Sequence, residues 1–222
     1  MASTVQTSPR TKFLDRIGRA AFPCVGAKSA LAHEGIEFYE GGDLRSEDDD
    51  VPLLAKLQDF AASAQPDALF VSFVALFPDT PRLDEAAFEA ALWQRLQALH
   101  GLDRRDYGWD PSVSSDPASP DFSLSLGGRA FYIVGLHPGA SRRARRFGCA
   151  ALVFNLHSQF ETLREDGRYD KMRDAITERD IAYSGSRNPM LKPHGEASEA
   201  RQYAGRVVGA EWRCPFLAHR AD

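Results

Sequence analysis

The pattern of apolar and polar residues along the chain predicts alternating helices and strands. Apolar residues at helical spacing, together with local breakers, predict helices at residues 11–21, 25–33, 51–64, 84–100, 157–165 and 169–180. Short β-rich apolar runs predict strands at residues 36–39, 68–77, 122–126, 130–136 and 150–156. Gly127 and Gly128 separate two of these runs and predict a tight hairpin.

The order of these elements predicts an α+β fold. We expect a single domain over residues 11–222, preceded by a disordered segment at residues 1–10. Its sheet should be antiparallel or mixed, with four to five strands and helices packed on it. From Tyr183 onward the chain is rich in glycine and proline but still carries Trp212 and Phe216. A long irregular C-terminal tail should therefore wrap the core.

Composition limits the classes of function. The 222 residues are 43% hydrophobic, which is enough for one sizeable core. The net charge of −4 argues against general nucleic-acid binding, which favours a basic domain. No apolar run approaches the roughly 20 residues of a membrane helix, and the N-terminus lacks the apolar region of a signal peptide. Three cysteines do not make a secreted disulfide framework, so we expect a cytoplasmic protein that binds neither membrane nor nucleic acid.

Four arginines are concentrated in the link between the last two predicted strands, at Arg142, Arg143, Arg145 and Arg146. A solvated basic loop is the ordinary interpretation of such a run. The alternative is an anion site, because guanidinium groups pair bidentately with carboxylates and phosphates. The chain has no glycine-rich phosphate motif, so ligand carboxylates are favoured over a nucleotide.

Three histidines are candidate metal ligands. His137 ends one predicted strand, His157 follows another, and His194 lies in a polar stretch of the tail. A lone histidine is more often a hydrogen-bonded structural residue. The spacing of histidines and cysteines does not match a zinc site.

The three cysteines have different local settings. Cys24 precedes a predicted helix, whose dipole would lower the pKa of the thiol. Cys149 begins an apolar strand and is predicted to be a core thiol. Cys214 precedes a proline on a stiff turn. An apolar pocket with arginines and a soft or imidazole ligand would suit a flat cofactor with two carboxylates, of which haem is one.

Seven motifs in the same order resemble the YqcI/YcgG-like family, over residues from about 10 to 216. The family includes haem-dependent N-hydroxylases that act on guanidino amino acids and related compounds. The motifs are FPCVGAKSA (22–30), FVALF (73–77), LWQRLQALH (92–100), FSLSLGGRAFYIVGLHPGASRRARRF (122–147), VFNLHSQFETLR (153–164), NPMLKPHGEASEARQY (188–203) and WRCPF (212–216).

The resemblance implies a b-type haem that activates dioxygen and places oxygen on nitrogen, often a guanidine nitrogen of arginine or a relative. Arg142, Arg145 and Arg146, with His137 nearby, are then expected to bind the haem and pair with its propionates. Oxygen cleavage favours an electron-donating axial ligand, which the thiolate of Cys24 would supply.

Other axial ligands and other functions remain open at this point. Neutral imidazole from His157, His194 or His137 is the alternative ligand, and Cys214 is a further one. A cationic amine or guanidine substrate would need carboxylates, for which Glu161, Glu196 and Glu199 are candidates, although surface and capping roles are more common. The chain has no flavin, nicotinamide or ferredoxin motif, so an external electron donor is expected. The alternatives are a haem-binding or haem-sensing protein without turnover and a thiol hydrolase that uses Cys24 with a histidine.

Overall fold

A computed structural model describes residues 7–65, 69–193 and 195–218 of the chain. Its centre is a five-stranded sheet in the order β1-β2-β5-β4-β3. The β1–β2 pair is parallel and the other three pairs are antiparallel, so the sheet is mixed, as the sequence predicts. The strands are β1 (Ile36–Glu40), β2 (Ser72–Phe77), β3 (Leu124–Leu126), β4 (Arg129–Leu136) and β5 (Ala150–Leu156).

Each predicted helix is present, with ends that shift by a few residues. The helices are α1 (Pro9–Gly18), α2 (Val25–Ala32), α3 (Asp50–Ser63), α4 (Glu85–Asp103), α5 (His157–Glu165), α6 (Tyr169–Ser184) and the short α7 (Ala200–Tyr203). Helix α1 begins two residues inside the segment predicted to be disordered, because Ser8 caps it and Pro9 suits its first turn. Residues 1–6 of that segment lie outside the described residues. In the described ranges, no helix combines the length and apolar character needed to cross a membrane.

One face of the sheet is closed by α3, α4 and the tail. Strand residues such as Phe73, Ile133 and Phe154 are fully buried there against Phe88 and other side chains of α4. The approach is close enough that a Cβ atom on Gly135 would lie 2.7 Å from the ring of Phe88. The tail completes this face, since Phe216 packs 6.2 Å from the ring of Trp93.

The other face is only partly covered, by α1, α2, α5 and α6. Near β1 and the end of β4 it is a closed core, where Phe13 and Ile17 of α1 pack around Leu76 and Leu136. Farther along the same strands, side chains of β4 and β5 remain half-buried even though both strands are central. The helices leave a cavity above this part of the sheet.

Candidate functional site

The cavity has a volume of about 340 Å³. This lies within the roughly 300–1,000 Å³ of typical ligand pockets. Its floor contains three valines that are direct neighbours across the strands, Val74, Val153 and Val134. Phe13, Ile17, Phe22, Leu163, Met172 and Ile176 belong to its apolar walls. The wall chemistry therefore suits a ligand with a large apolar surface.

A row of polar side chains crosses the same strands on the same face, two residues away from the valines. Ser72 donates a hydrogen bond to Asn155 Oδ1 at 2.8 Å, and Asn155 Nδ2 donates to the carbonyl oxygen of Tyr132 at 3.2 Å. The Tyr132 hydroxyl donates to Gln202 Oε1 at 3.3 Å. Burial raises the pKa of Tyr132 to about 12, so its hydroxyl stays protonated. This row makes one part of the floor polar.

Cys24 belongs to the cavity wall and caps helix α2. Its Sγ atom accepts a hydrogen bond from the backbone N–H of Ala27 at 3.4 Å. The helix terminus was expected to lower the pKa of this thiol. Burial is the larger effect and raises that pKa, although the N–H groups of Ala27 and Gly26 oppose it. The site thus presents a protonated soft sulfur that a cationic metal would deprotonate on binding.

Four described arginines line the cavity. Arg164 and Arg173 form ion pairs with nearby carboxylates, whereas Arg145 and Arg16 form none with a carboxylate of the described residues. Arg145 donates to the carbonyl oxygens of Gly135 and Tyr203 at 3.1 Å and of Gln202 at 3.0 Å. Arg16 donates to the carbonyl oxygen of Arg143 at 2.8 Å, and its buried Nε has no hydrogen-bond partner among the described residues. Burial lowers the pKa of both guanidinium groups, yet arginine keeps its charge in proteins. The wall therefore carries positive charge that a ligand carboxylate could neutralise.

Glu199 provides an acidic group in the same wall. It accepts a hydrogen bond from the Ser123 hydroxyl at 3.0 Å. Burial raises its pKa to about 7, although the bond from Ser123 and the charge of Arg164 act in the opposite direction. Glu199 can therefore exist in either protonation state near neutral pH.

His157 and Glu161 continue the hydrogen bonding from Ser123 toward the surface. His157 Nδ1 lies 3.0 Å from Ser123 Oγ, and His157 Nε2 lies 2.9 Å from Glu161 Oε1. Glu161 also forms an ion pair with Arg164. Burial would raise the pKa of Glu161, but the charges of Arg164 and His157 lower it below its ordinary value. Both ring nitrogens of His157 thus face hydrogen-bond partners, and His157 is not among the described residues of the cavity wall.

The other members of the arginine cluster have different surroundings. Arg142 forms an ion pair with Asp180, with Nε 2.9 Å from Oδ2. Arg143 lies over the ring of Tyr183 at 4.4 Å, and Arg146 donates to the carbonyl oxygens of Ala140 and Ser141. Of the four clustered arginines, only Arg145 is in the described wall of the cavity.

The remaining predicted site residues lie in other places. His137 stacks on Phe88 at 4.2 Å, which places it against α4 on the closed side of the sheet. Cys214 packs against the same closed core, and Glu196 is exposed. His194 lies outside the described residues, between Pro193 and Gly195, which both line the cavity.

Several wall residues are absent from the sequence-based prediction. Arg16 occupies an ordinary amphipathic helix, and nothing in its neighbourhood marks it as special. Tyr132 and Asn155 could have been identified from the sequence. Each is a residue with a polar group in an otherwise apolar central strand, and a buried polar group needs a partner. Ser123, which lies outside the described wall, was also not predicted: it is fully buried just before β3, and its hydrogen-bond partners become evident only in three dimensions.

The described residues contain no group of three or more histidine, cysteine, aspartate and glutamate side chains arranged to hold a metal ion. Haem iron does not require such a group, since one axial side chain and a few propionate partners suffice. Cys24 could serve as the axial side chain, and Arg145 and Arg16 could serve as the propionate partners. The donor set therefore fits a haem.

Comparison with known proteins identifies a family. The model of the YqcI/YcgG family matches residues 13–217, which is nearly the whole chain. Neither the curated proteins nor the solved structures contain a match.

Proposed function

Because this chain belongs to the YqcI/YcgG family, we propose that it is a haem-dependent monooxygenase that hydroxylates a guanidine or amine nitrogen of an arginine-like amino acid. One observation carries the proposal. A single largely apolar cavity combines a thiol with two arginines that form no ion pair with a described carboxylate.

In this proposal the thiolate of Cys24 would hold the haem iron, and Arg145 and Arg16 would pair with the propionates. Cys24 is preferred over His157 because the sulfur belongs to the cavity wall, whereas both nitrogens of His157 face Ser123 and Glu161. The hydrogen bond from Ala27 N–H would stabilise negative charge on the sulfur. The bound haem would supply the activation of dioxygen.

Glu199 is the group proposed to hold the cationic substrate. It belongs to the same wall as Cys24, and its carboxylate can pair with a guanidinium or ammonium group. A bound cation would favour the ionised form of Glu199, against the burial that raises its pKa to about 7. Glu161 contributes indirectly, since Arg164 and His157 already engage it.

The overall reaction inserts one oxygen atom into an N–H bond and releases the other as water. It consumes one dioxygen, two electrons and two protons, and yields the N-hydroxy product and one water. The electrons would come from an external reductase or an added reductant.

Cofactor content is the first test. The full chain is expressed with a haem precursor, and the haem per chain is measured by the pyridine haemochrome method. We expect about one haem per chain and a ferrous carbonyl spectrum of the thiolate type. Cys24→Ser should lose that spectrum, whereas Cys149→Ser, a buried thiol of the same sheet face outside the described cavity wall, should keep it. A protein that takes up neither biosynthetic nor added haem contradicts the proposal.

Turnover is the second test. Arginine and related guanidino acids are incubated with the haem-loaded protein, a reducing system and ¹⁸O-labelled dioxygen. The expected product is heavier by one oxygen atom that comes from dioxygen. If haem binds fully and no substrate yields labelled product, the protein is better explained as a haem-binding or haem-sensing protein.

A further inference from the structure

We propose that Glu199, Ser123, His157 and Glu161 form a proton relay that connects the cavity with solvent. The role assigned to the relay rests on the proposed function, because hydroxylation of a nitrogen by dioxygen consumes two protons for each turnover. The relay would deliver those protons at Glu199, on the wall of the cavity.

The path is continuous and runs from inside to outside. The heavy atoms of successive members are 3.0, 3.0 and 2.9 Å apart, which is hydrogen-bond distance at every step. Glu199 belongs to the cavity wall, and Ser123 and His157 are buried at 0% and 7% exposure. The Glu161 side chain is 43% exposed. The outer end therefore exchanges protons with water while the inner end faces the ligand space.

Counting hydrogens gives the chain two fully hydrogen-bonded arrangements when Glu161 is ionised. In the first, Ser123 donates to ionised Glu199, so Nδ1 of His157 must donate to Ser123 and Nε2 to Glu161. The ring is then an imidazolium. In the second, protonated Glu199 donates to Ser123, Ser123 donates to Nδ1, and only Nε2 carries hydrogen.

The two arrangements differ by one proton moved from His157 to Glu199 through the hydroxyl of Ser123. Two O–H or N–H bonds break and two form, no heavy atom needs to move, and the total charge is unchanged. To return to the first arrangement, the ring of His157 turns its unprotonated Nδ1 toward Glu161 and water, takes up one proton there and turns back, while the Ser123 hydroxyl rotates to donate to Glu199 again. Each passage delivers one proton to the cavity wall, so two passages supply one turnover.

The charged groups around Glu199 allow both of its states. Burial and the charge of Glu161 favour the protonated form, whereas Arg164 and the bond from Ser123 favour the ionised form. The nearby hydroxyls of Tyr132 and Tyr203 stay neutral, because burial raises the pKa of both. A group held in this balance can accept and release a proton near neutral pH.

The same residues could suggest a serine nucleophile with a His–Glu pair. Ser123 is fully buried, does not belong to the described cavity wall and donates to Glu199. A substrate carbonyl cannot reach this hydroxyl. Proton transfer through Ser123, in contrast, requires no access.

The first test uses the haem-free full chain and reads the imidazole of His157 by ¹⁵N NMR. Wild-type His157 should show only the imidazolium and the neutral form with hydrogen on Nε2. Glu199→Gln should shift the titration midpoint of His157 by about one pH unit. Ser123→Ala should reduce that shift to less than half. The relay proposal is overturned if the neutral ring carries its hydrogen on Nδ1, or if Glu199→Gln leaves the titration midpoint of His157 unchanged.

The second test uses the haem-loaded enzyme with saturating arginine-like substrate. Ser123→Ala should lower kcat at least about tenfold and increase the solvent deuterium isotope effect. Ser123→Thr, which retains the hydroxyl, should recover part of the rate. Ser125→Ala is the matched control, because Ser125 is equally buried on β3 but accepts from Asp110 N–H, away from the relay.

The two tests separate failure of the relay from failure of the proposed function. If the enzyme turns over and Ser123→Ala behaves like Ser125→Ala, the relay is wrong and the monooxygenase proposal stands. If no haem binds, the proposed role of the relay in oxygen chemistry is wrong. The NMR experiment still decides whether Glu199 and His157 share a proton.

Discussion

At the scale of single residues, guanidinium groups that have no carboxylate partner among the described residues mark the side of the cavity where an acidic ligand would bind. Arg145 and Arg16 line the cavity and bond to backbone carbonyls, whereas Arg142 is neutralised by Asp180. A carbonyl leaves the net charge of a guanidinium in place. We therefore expect the acidic groups of a ligand to bind at Arg145 and Arg16.

Replacing Arg145 or Arg16 with methionine removes the charge and keeps most of the side-chain volume. Arg145→Met and Arg16→Met should each weaken haem retention about tenfold or more, since a desolvated charge-assisted hydrogen bond contributes about 1.5–3 kcal/mol. Haem transfer to apomyoglobin measures the loss. Arg146→Met is the matched control, because Arg146 bonds to carbonyls outside the described cavity wall. Equal haem loss from all three variants would rule out the assigned propionate partners.

Glu199, an acidic residue of the cavity wall, makes the stability of the fold depend on pH. Burial raises the pKa of Glu199 from 4.5 to about 7, so the folded state binds its proton more tightly than the unfolded state. This stabilisation is complete below about pH 4.5 and is lost as pH rises through about 7. Between pH 4.5 and 8 the free energy of unfolding of the wild type should fall by up to about 3 kcal/mol relative to that of Glu199→Gln.

Urea unfolding followed by tryptophan fluorescence measures this difference at the two pH values. Glu196→Gln is the control, since Glu196 is exposed and only three residues away. A free energy of unfolding that changes with pH equally in Glu199→Gln and in the wild type would show that Glu199 has an ordinary pKa.

The sequence identifies some of these residues and misses others for physical reasons. The arginine run and the glutamates of the tail stand out by composition, but only folding decides that Arg145 faces the cavity and Arg142 meets Asp180. Arg16 belongs to a helix whose polar face is ordinary. Arg16 contacts Arg143 and Arg145 contacts Tyr203, which are far away in the sequence, so neither arginine carries a local mark of its role.

At the scale of elements, the hairpin between β3 and β4 shows how local sequence determines structure. Gly127 and Gly128 have φ values of +60° and +68°, as the paired glycines predict for a tight turn. The N–H of Gly127 donates to Asp103 at 2.9 Å, and this contact ties the turn to the end of α4. The turn thereby orients β3, which begins next to Ser123.

Alanine at the two glycines should have unequal effects. Both substitutions place a side chain at positive φ, which costs about 1 kcal/mol. Only at Gly127 would the new Cβ atom also lie 3.1 Å from Ala61, whereas at Gly128 its nearest described neighbour is 3.8 Å away. Gly127→Ala should therefore lower the free energy of unfolding by about 2–3 kcal/mol and Gly128→Ala by about 1 kcal/mol. Equal values would show that α3 moves aside at no cost.

Periodicity predicts the elements well and their ends less well. Strand β5 has the predicted limits, Ala150–Leu156, because its apolar run and its hydrogen-bonded run coincide. Strand β2 begins at Ser72, since Phe70 adopts a φ of +59° and donates its N–H to Gln159; the start predicted at residue 68 lies outside the described residues. An apolar run reports burial, and burial continues where strand pairing has ended.

At the scale of the whole molecule, the two faces of the sheet differ in how closely they are covered. Strands β2, β4 and β5 carry apolar residues on both faces, as expected for strands covered on both sides. Ile133 and Phe154 are fully buried on the α4 face, whereas Val134 and Val153 are half-buried on the other. The sequence cannot distinguish these faces, because the cavity arises from how far the helices stand above the sheet.

Phenylalanine at one position on each face tests this difference. Val153→Phe projects into the cavity, so the free energy of unfolding should stay within about 0.5 kcal/mol of the wild type or rise. Ile133→Phe adds less volume but enters a packed core, and it should lower the same quantity by about 1–3 kcal/mol. Urea unfolding of the haem-free chain measures both changes.

Haem uptake by the same two variants should follow the opposite order, since Val153→Phe occupies the cofactor space and Ile133→Phe leaves it open. If Val153→Phe destabilises the fold as much as Ile133→Phe, this face of the sheet is closed in solution and the cavity cannot hold a cofactor.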